Sequence, residues 1–558
     1  MQATEPMSLE AKNASDSSLD RDRSEISSHP SSSEVEPASN DPATQAGGAG
    51  GARLLYGLVV FGSSAILLML EITAGRLIAP YVGVSIYSWT SIIGVILAGL
   101  SLGSWLGGVW ADRSDEPSDS ERAVGLALGA AGVASIGILL MLTWIAPIVL
   151  SADLSLMAGA FWLALGLFFV PSILLGTITP LLIALALRVD TRAGRTVGMM
   201  HALSALGSIT GTFTAGFWLI QHIGTRAILL LCAGSLFAMA LPFLLRRGRS
   251  STLVALLLGI AFGTGWMTHD RQGFLNPCNV ESQYYCIRIE SADSEVPFGE
   301  ARAMVLDHLV HGISHATEPG MLISPYLHLS DELILGYLGS KASDARYLFL
   351  GGGAYTHPRA VAALTPDAKI TVVEIDPQVT RVAAESLYLD RSSMRIIHSD
   401  ARIALQSMDD ERFDVIIGDI AHDVTMPWHL MTDEYARLVK SRLTQDGLYL
   451  LNLIDAYPDP LLVKSLVNTL RPHFEHVHVW IERLPENISR ETFILSATDR
   501  FEPPLTLRAQ RGFERDWHRI TKVLESTGTP MDRLPALSDD HAPIERLIGR
   551  LITSKIGN

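Results

Sequence analysis

The chain has 558 residues, of which 48% are hydrophobic and 18% charged, with a formal net charge of −15. An acidic balance excludes a protein built on the clustered Lys and Arg that phosphate backbones demand, so no nucleic-acid partner is expected. Three cysteines are too few for a disulfide scaffold.

Residues 1–52 hold three basic and nine acidic side chains and are dominated by Ser, Glu, Asp, Pro, Ala and Gly. Their apolar surface is too small to offset the entropy of ordering, which predicts a disordered N-terminal tail. No basic stretch followed by an apolar core marks it as a signal peptide.

Residues 53–268 hold eleven Arg, no Lys and seven apolar runs: Leu54–Ala74, Trp89–Trp110, Ala123–Leu150, Leu156–Leu187, Val197–Ile220, Ala227–Leu245 and Leu253–Met267. Each is near the ~20 residues that cross a bilayer, so a multi-pass helical domain in the cell membrane, with lipid as its partner, is predicted. Pro171 and Pro180 predict a kink or tilt in the fourth run. Gly99, Gly103, Gly107 and Gly108 in the second invite close approach of a neighbouring helix. Glu71 and Arg76 read either as a helical ion pair facing the bundle or as a polar site for a translocated or lipidic ligand.

Arg113 and Arg122, then Arg188, Arg192 and Arg195, then Arg246, Arg247 and Arg249 follow the second, fourth and sixth runs. The positive-inside rule puts these loops and the amino terminus in the cytoplasm. The seventh run is marginal in length, and if it does not cross, the remainder of the chain is cytoplasmic. A cytosolic supply of nucleoside cofactor favours that reading, and a cytoplasmic soluble domain is the expectation.

Residues 269–345 are expected to form a small β-module, with strands at Gln283–Glu290 and Ala303–Val310. From Arg346 to Arg500 strand-like and helix-like runs alternate, which predicts an α/β Rossmann-like domain with a parallel sheet. The strands fall at Tyr347–Leu350, Ile370–Glu374, Met394–His398, Phe413–Gly418, Leu448–Leu453, His476–Ile481 and Phe493–Ser496. Residues 501–558 are expected to be a helical extension. In it, Ser538–Glu545 reads as a polar loop entering a helix with Pro543 in its first turn, or as a loop closing over a site.

Three consecutive strand ends carry candidate nucleotide contacts. Gly351, Gly352 and Gly353 follow the first strand and would let backbone approach a ligand beside a helix amino terminus. Glu374 ends the second, about twenty residues on, where a carboxylate accepts from a ribose diol. Asp400 and Ala401 follow the third, where an adenine amino group would be met.

The stretch Leu350–Asp376, then His398–Ala401, then Phe413–Asp419 resembles the spermidine synthase (polyamine aminopropyltransferase) family. Glu281–Tyr285 and Val305–His311 are similar to that family's amino-terminal β-module. The likeness covers roughly two fifths of the chain, and the apolar runs ahead of it look like the membrane-fused branch. It implies a transferase of polyamine biosynthesis, moving an aminopropyl group from decarboxylated S-adenosylmethionine to a small amine such as putrescine, with no metal and with a homodimer as one possible assembly. Asp419 stands at the family's catalytic aspartate, a position from which a carboxylate can hold an amine and take its proton. Tyr326, His422 and Asp423 would then contact the amine substrate.

The chain departs from the family pattern at three places. Ala354 replaces an Asp that meets the aminopropyl amine, His422 replaces a second aspartate, and Leu306–His311 lacks a Gly and a Gln. Two other readings therefore stand beside aminopropyl transfer: an S-adenosylmethionine-dependent methyltransferase, and a non-catalytic module sensing an amine moved by the spans. Cys278 and Cys286 are candidates for a disulfide if the domain lies outside the cytoplasm and for free thiols if it lies inside. Neither Cys-x-x-Cys nor paired-His spacing points to a metal.

Overall fold

The computed structural model describes residues 42–114, 116–152, 154–245, 251–420, 426–500 and 502–553. The expected tail lies outside these up to residue 41, as do Arg246, Arg247, Arg249, His422 and Asp423.

The N-terminal half is helical: α1 Pro42–Val82, α2 Ile86–Asp112, α3 Pro117–Ser151, α4 Leu156–Val189, α5 Ala193–Thr214, a π turn Ala215–Leu219, α6 Ile220–Leu245 and α7 Ser251–Asp270. Helix α1 thus begins before Arg53, where the tail was expected to end. Among the described residues, six continuous helical stretches are long and apolar enough to span a bilayer. The longest, Ala193–Leu245, is broken at Gly224, whose φ of +75° lies outside the helical region. The break yields two rods, which correspond to the fifth and sixth runs of the sequence. Helix α4 is continuous through Pro171 and Pro180.

The glycines of α2 seat it on α4. A Cβ at Gly103 would lie 2.2 Å from the Ile173 carbonyl oxygen, and one at Gly107 would lie 2.6 Å from that of Thr177. At Gly108 nothing lies within 4 Å, so it takes no part in this contact. Small residues at helical spacing bring backbones together where lipid supplies no hydrophobic drive.

The loops define two faces of the bundle. On one, Arg188 donates to the Ser114 carbonyl (2.5 Å), and Arg53 pairs with Asp190 (3.4 Å). On the other, Arg76 donates to the Ser282 carbonyl (2.9 Å) and to that of Tyr284, while the Thr225 amide donates to Glu281 (2.8 Å). Arg226 binds the carbonyls of Gly273 and Leu275. Helix α7 runs alongside α3, with Leu257 at Gly129, and Gly273, just beyond its end, at Leu139 and Thr143. The soluble part therefore packs on the face opposite the arginine-bearing loops. The seventh run, left open by the sequence as marginal for crossing, is a helix long and apolar enough to span a bilayer. Arg76 also turns to the soluble part and not to Glu71.

A four-stranded antiparallel sheet follows, β1 Val280–Glu281, β2 Cys286–Ser291, β3 Ala301–Leu306 and β4 Leu309–His315. The expected strand Ala303–Val310 is really the end of β3, a tight turn and the start of β4. Asp307, at φ +53°, makes the turn, and its carboxylate accepts from the Cys286 amide (3.0 Å). Cys278 and Cys286 form a disulfide.

Helix α8 (Pro325–Leu338) leads into the main sheet. Its parallel strands are β5 Arg346–Leu350, β6 Lys369–Glu374, β7 Arg395–His398, β8 Phe413–Gly418 and β9 Leu443–Tyr457. Helices α9 Thr356–Leu364, α10 Pro377–Ser386, α11 Ala401–Ser407, α12 Asp433–Arg442 and α13 Leu461–Leu470 intervene. Strands β10 His476–Ile481, β11 Ser489–Thr498, β12 Thr506–Arg508 and β13 Asp516–Arg519 complete nine, in the order β12-β13-β10-β11-β9-β8-β5-β6-β7. Buried on both faces, β5 and β6 read as unbroken apolar runs, as central parallel strands do. The expected helical extension instead opens with β12 and β13, which pair with each other, β13 also pairing with β10. Short helices close the chain, and the Ser538–Glu545 stretch runs into one of them, Ile544–Leu547.

Candidate active site

Strand order reverses between β5 and β8, so the crevice beyond their carboxyl ends is where such a sheet holds a ligand. The glycine turn after β5 is built for close approach. A Cβ at Gly351, whose φ is +96°, would lie 2.0 Å from the Asp419 carbonyl oxygen, so no larger residue fits between the two strand ends. The amides of Gly352 and Gly353 donate to one oxygen of Glu374 (2.8 and 3.3 Å), and the Asp376 amide donates to the other (2.9 Å). Burial nevertheless pushes the Glu374 carboxyl up, against the pull of these three amides. Glu374 is therefore first a brace for the glycine turn.

Asp400 caps α11 by accepting from the amides of Arg402 (2.9 Å) and Ile403 (3.1 Å), and its other oxygen meets His429 Nε2 (2.9 Å). Burial works against its charge, but His429 and the amides outweigh it and hold the carboxyl below the usual range. Gly351, Gly353, Glu374, Asp400 and Ala401 line one cavity of about 270 Å³ together with Tyr284, Tyr285, His311 and Asp419. Its apolar walls and few convergent polar groups suit a nucleoside.

Asp419 joins this cavity to a second, small and enclosed, which Gly352 also lines with Tyr326, Ser330, His311, His357 and Asn452. Asn452 Nδ2 donates to Asp419 (2.8 Å), and the Tyr326 hydroxyl lies 3.5 Å from its other oxygen. Burial raises the Asp419 pKa, while Asn452, His357 and Tyr326 pull it back. A buried carboxylate with a raised pKa next to a neutral amide is suited to accept a proton.

Ala354 is 1% exposed and lies under Gly312 of β4, where a Cβ would meet it at 2.8 Å. A carboxylate at 354 would thus be sealed beneath the strand. His357, His429 and Asn452 were not singled out from sequence, and no motif surrounds them; His311 entered only as the last residue of the Val305–His311 stretch, with no role given to it.

The helical N-terminal half reaches this site. Arg76 holds the carbonyls of Ser282 and Tyr284, and the Tyr284 and Tyr285 rings form the cavity rim. Hydrogen bonds from a charged donor contribute about 1.5–3 kcal/mol. Replacing Arg76 by Gln should therefore weaken binding of 5′-methylthioadenosine about tenfold by calorimetry in detergent. Unchanged affinity would uncouple the rim from the membrane helix.

A Rossmann-like sheet with an adenosyl-sized pocket at its switch point and a strand-end carboxylate facing a second chamber defines a class of S-adenosyl-dependent transferase folds. Residues 331–503 match the family model described as the spermine/spermidine synthase domain. Two curated relatives agree. A probable polyamine aminopropyl transferase of Bifidobacterium longum is 25% identical over 241 residues, covering 39% of this chain and 53% of that protein. A polyamine aminopropyltransferase of Vibrio vulnificus is 32% identical over 110 residues, covering 19% and 37%. The matched stretch thus spans about half or less of these relatives. A probable spermidine synthase structure from Corynebacterium glutamicum is 21% identical with a TM-score of 0.40, over 47% of this chain and 95% of that one. The match to the spermine/spermidine synthase domain lies within residues 331–503 of the C-terminal part.

Proposed function

We propose that the chain is a multi-pass membrane enzyme that transfers an aminopropyl group from decarboxylated S-adenosylmethionine to an amine, the family resemblance implying a diamine such as putrescine. The observation that carries this reading is Asp419, poised between the adenosyl-sized cavity and the smaller chamber with Asn452 and Tyr326 on its two oxygens. In this reading Asp419 takes the proton of the attacking amine, and the nitrogen lone pair displaces the thioether from the propyl carbon next to sulfur. Neutral 5′-methylthioadenosine leaves, so the sulfonium charge is discharged as the new ammonium forms. Glu374 orders the glycine turn against the nucleoside, and Asp400 with His429 closes its far side. His422 and Asp423, proposed as amine contacts, lie outside the described residues.

One observation favours methyl transfer instead. With Ala354 buried under Gly312, no carboxylate at that position meets the terminal amine of a decarboxylated donor. Equilibrium binding of labelled S-adenosylmethionine and of its decarboxylated form decides between them. Aminopropyl transfer expects retention of the decarboxylated donor and release of 5′-methylthioadenosine from it. Retention of the parent compound alone supports the methyltransferase.

The soluble domain is proposed to face away from the cytoplasm, since it packs opposite the arginine-bearing loops that the positive-inside rule assigns to the cytoplasm. A disulfide at Cys278–Cys286 fits an oxidising compartment. In intact cells an impermeant maleimide should leave both cysteines unlabelled until an impermeant reductant is added, and then label them. Labelling only after the membrane is permeabilised would reverse the orientation.

A further inference from the structure

The small chamber beside Asp419 is lined with acceptors. Its free volume is about 20 Å³, room for one water-sized group and no more, since a single water needs about 10–15 Å³. Asn452 gives its Nδ2 to Asp419 (2.8 Å), and among the described residues its buried Oδ1 makes no hydrogen bond. His357, in the first turn of α9, also lines the chamber and is 3% exposed. Neither of its ring nitrogens makes a hydrogen bond among the described residues. Buried polar atoms in that state cost free energy until a partner meets them.

Behind His357 stands a second carboxylate. His357 Nε2 lies 3.9 Å from Asp331 Oδ1, too long for a hydrogen bond but close enough for the charge to act. Asp331, on α8, is 3% exposed, and its other oxygen takes the Arg511 guanidinium, with Nε at 3.0 Å. Burial opposes the charge of Asp331, and His357 and Arg511 outweigh it, holding its carboxyl below the usual range. Glu332, next along α8, accepts from the amides of Gln510 (2.9 Å) and Arg511 (3.2 Å), which fixes the loop carrying Arg511 to the same helix. Phe349 meets the imidazole in a T-shape at 5.2 Å and holds its plane. A carboxylate on the Nε2 side favours the tautomer with its proton there, which leaves the Nδ1 lone pair to accept.

We propose that the chamber is a socket for one primary ammonium group, the reacting amine of the acceptor, with His357 as a further binding residue beside Asp419 and Asp331 as the residue that positions it. This inference rests on the aminopropyl-transfer reading and deepens it. An ammonium presents three N–H donors on a head about the size of a water, and Asp419, the Asn452 carbonyl and His357 Nδ1 offer three acceptors. The donor's terminal amine has the same chemistry, but Asp419, the base in this reading, lines the socket, so the amine held there is the one that loses a proton. The proton leaves toward Asp419, and the lone pair opens on the side that Asp419 shares with the adenosyl-sized cavity. The two remaining N–H groups stay on Asn452 and His357. The C–N bond then forms as the C–S bond breaks, with its electron pair left on sulfur in 5′-methylthioadenosine.

The test uses the full chain in detergent with decarboxylated S-adenosylmethionine and putrescine, read as release of 5′-methylthioadenosine. His357→Gln and His357→Met introduce side chains of similar size, but only Gln offers an oxygen acceptor. The expected result is a KM for putrescine raised about tenfold by H357M, the scale of one charge-assisted hydrogen bond, and by no more than about threefold in H357Q. Asp331→Asn should raise the same KM alone but add nothing on top of H357M, because it acts through His357. Affinity for 5′-methylthioadenosine, which has no aliphatic amine for the socket, should stay at the wild-type value in every variant and shows that each is folded. His357→Leu replaces the Met variant if that one loses nucleoside binding. Equal KM in the Gln and Met variants overturns the socket, which then holds only water. Weaker binding of the decarboxylated donor with an unchanged KM for putrescine overturns the assignment to the acceptor, since the socket then takes the donor's own amine. Additive effects of D331N and H357M overturn the positioning role. No release of 5′-methylthioadenosine by the wild type with any amine overturns the transfer reading itself, and this inference with it.

Discussion

Asp419→Asn should lower turnover by at least about 10²-fold while leaving 5′-methylthioadenosine affinity almost unchanged. Asparagine keeps the size of the side chain and a carbonyl oxygen for the Asn452 amide, but it cannot take a proton. The proposed nucleoside contacts after β5, β6 and β7 do not use the Asp419 carboxylate charge, which is why binding should survive although Asp419 also lines that cavity. The pH profile supplies an independent readout. Burial raises the Asp419 pKa, and the base acts only when deprotonated. Wild-type kcat/KM should therefore fall with decreasing pH at a point above the ordinary aspartate value of about 4. That acid limb should be missing from the residual activity of the variant. Turnover equal to wild type would remove Asp419 from the chemistry, whatever the acceptor proves to be.

Glu374→Ala should be more damaging than the loss of a ribose contact alone. The carboxylate is 5% exposed and receives the amides of Gly352, Gly353 and Asp376. Each buried donor left without an acceptor costs about 1–3 kcal/mol, although the three do not add independently. The glycine turn then loses the group that orders it, and its approach to the ligand with it. Nucleoside binding should become unmeasurable by calorimetry, and the melting temperature of the soluble domain should drop by about 10 °C. Glu374→Gln keeps one acceptor oxygen and should fall between the two. An alanine variant that melts like wild type would mean that the turn is held by packing and not by this carboxylate.

The two predictions draw on parts of the chain that differ in how readable they were. The glycine turn, Glu374 and Asp400 were legible because each follows its own strand directly, and a parallel sheet brings the carboxyl ends of its strands to one edge. Burial on both faces made β5 and β6 continuous apolar runs. The β3–β4 hairpin was misread because Leu306, Leu309 and Val310 flank a turn of only two residues, Asp307 and His308. Composition saw one strand there, and only the left-handed backbone of Asp307 reveals the reversal. Strands β12 and β13 escaped notice because they are three and four residues long, β13 pairing with β10 and β12 with β13.

From local order alone came the long apolar helices, the glycine seam of α2, the α/β alternation and the three strand-end positions that meet at one cavity. Each of these is encoded within a few turns or one strand, where spacing and side-chain size act directly. Long-range packing decided the rest. It brought Asn452, His357 and Tyr326 to Asp419, and His429 to Asp400. It also tied Arg76 to the pocket rim and placed the soluble domain opposite the arginine-bearing loops. Those partners lie tens to hundreds of positions apart, and the contacts between them are free energies of surface against surface that no single segment carries.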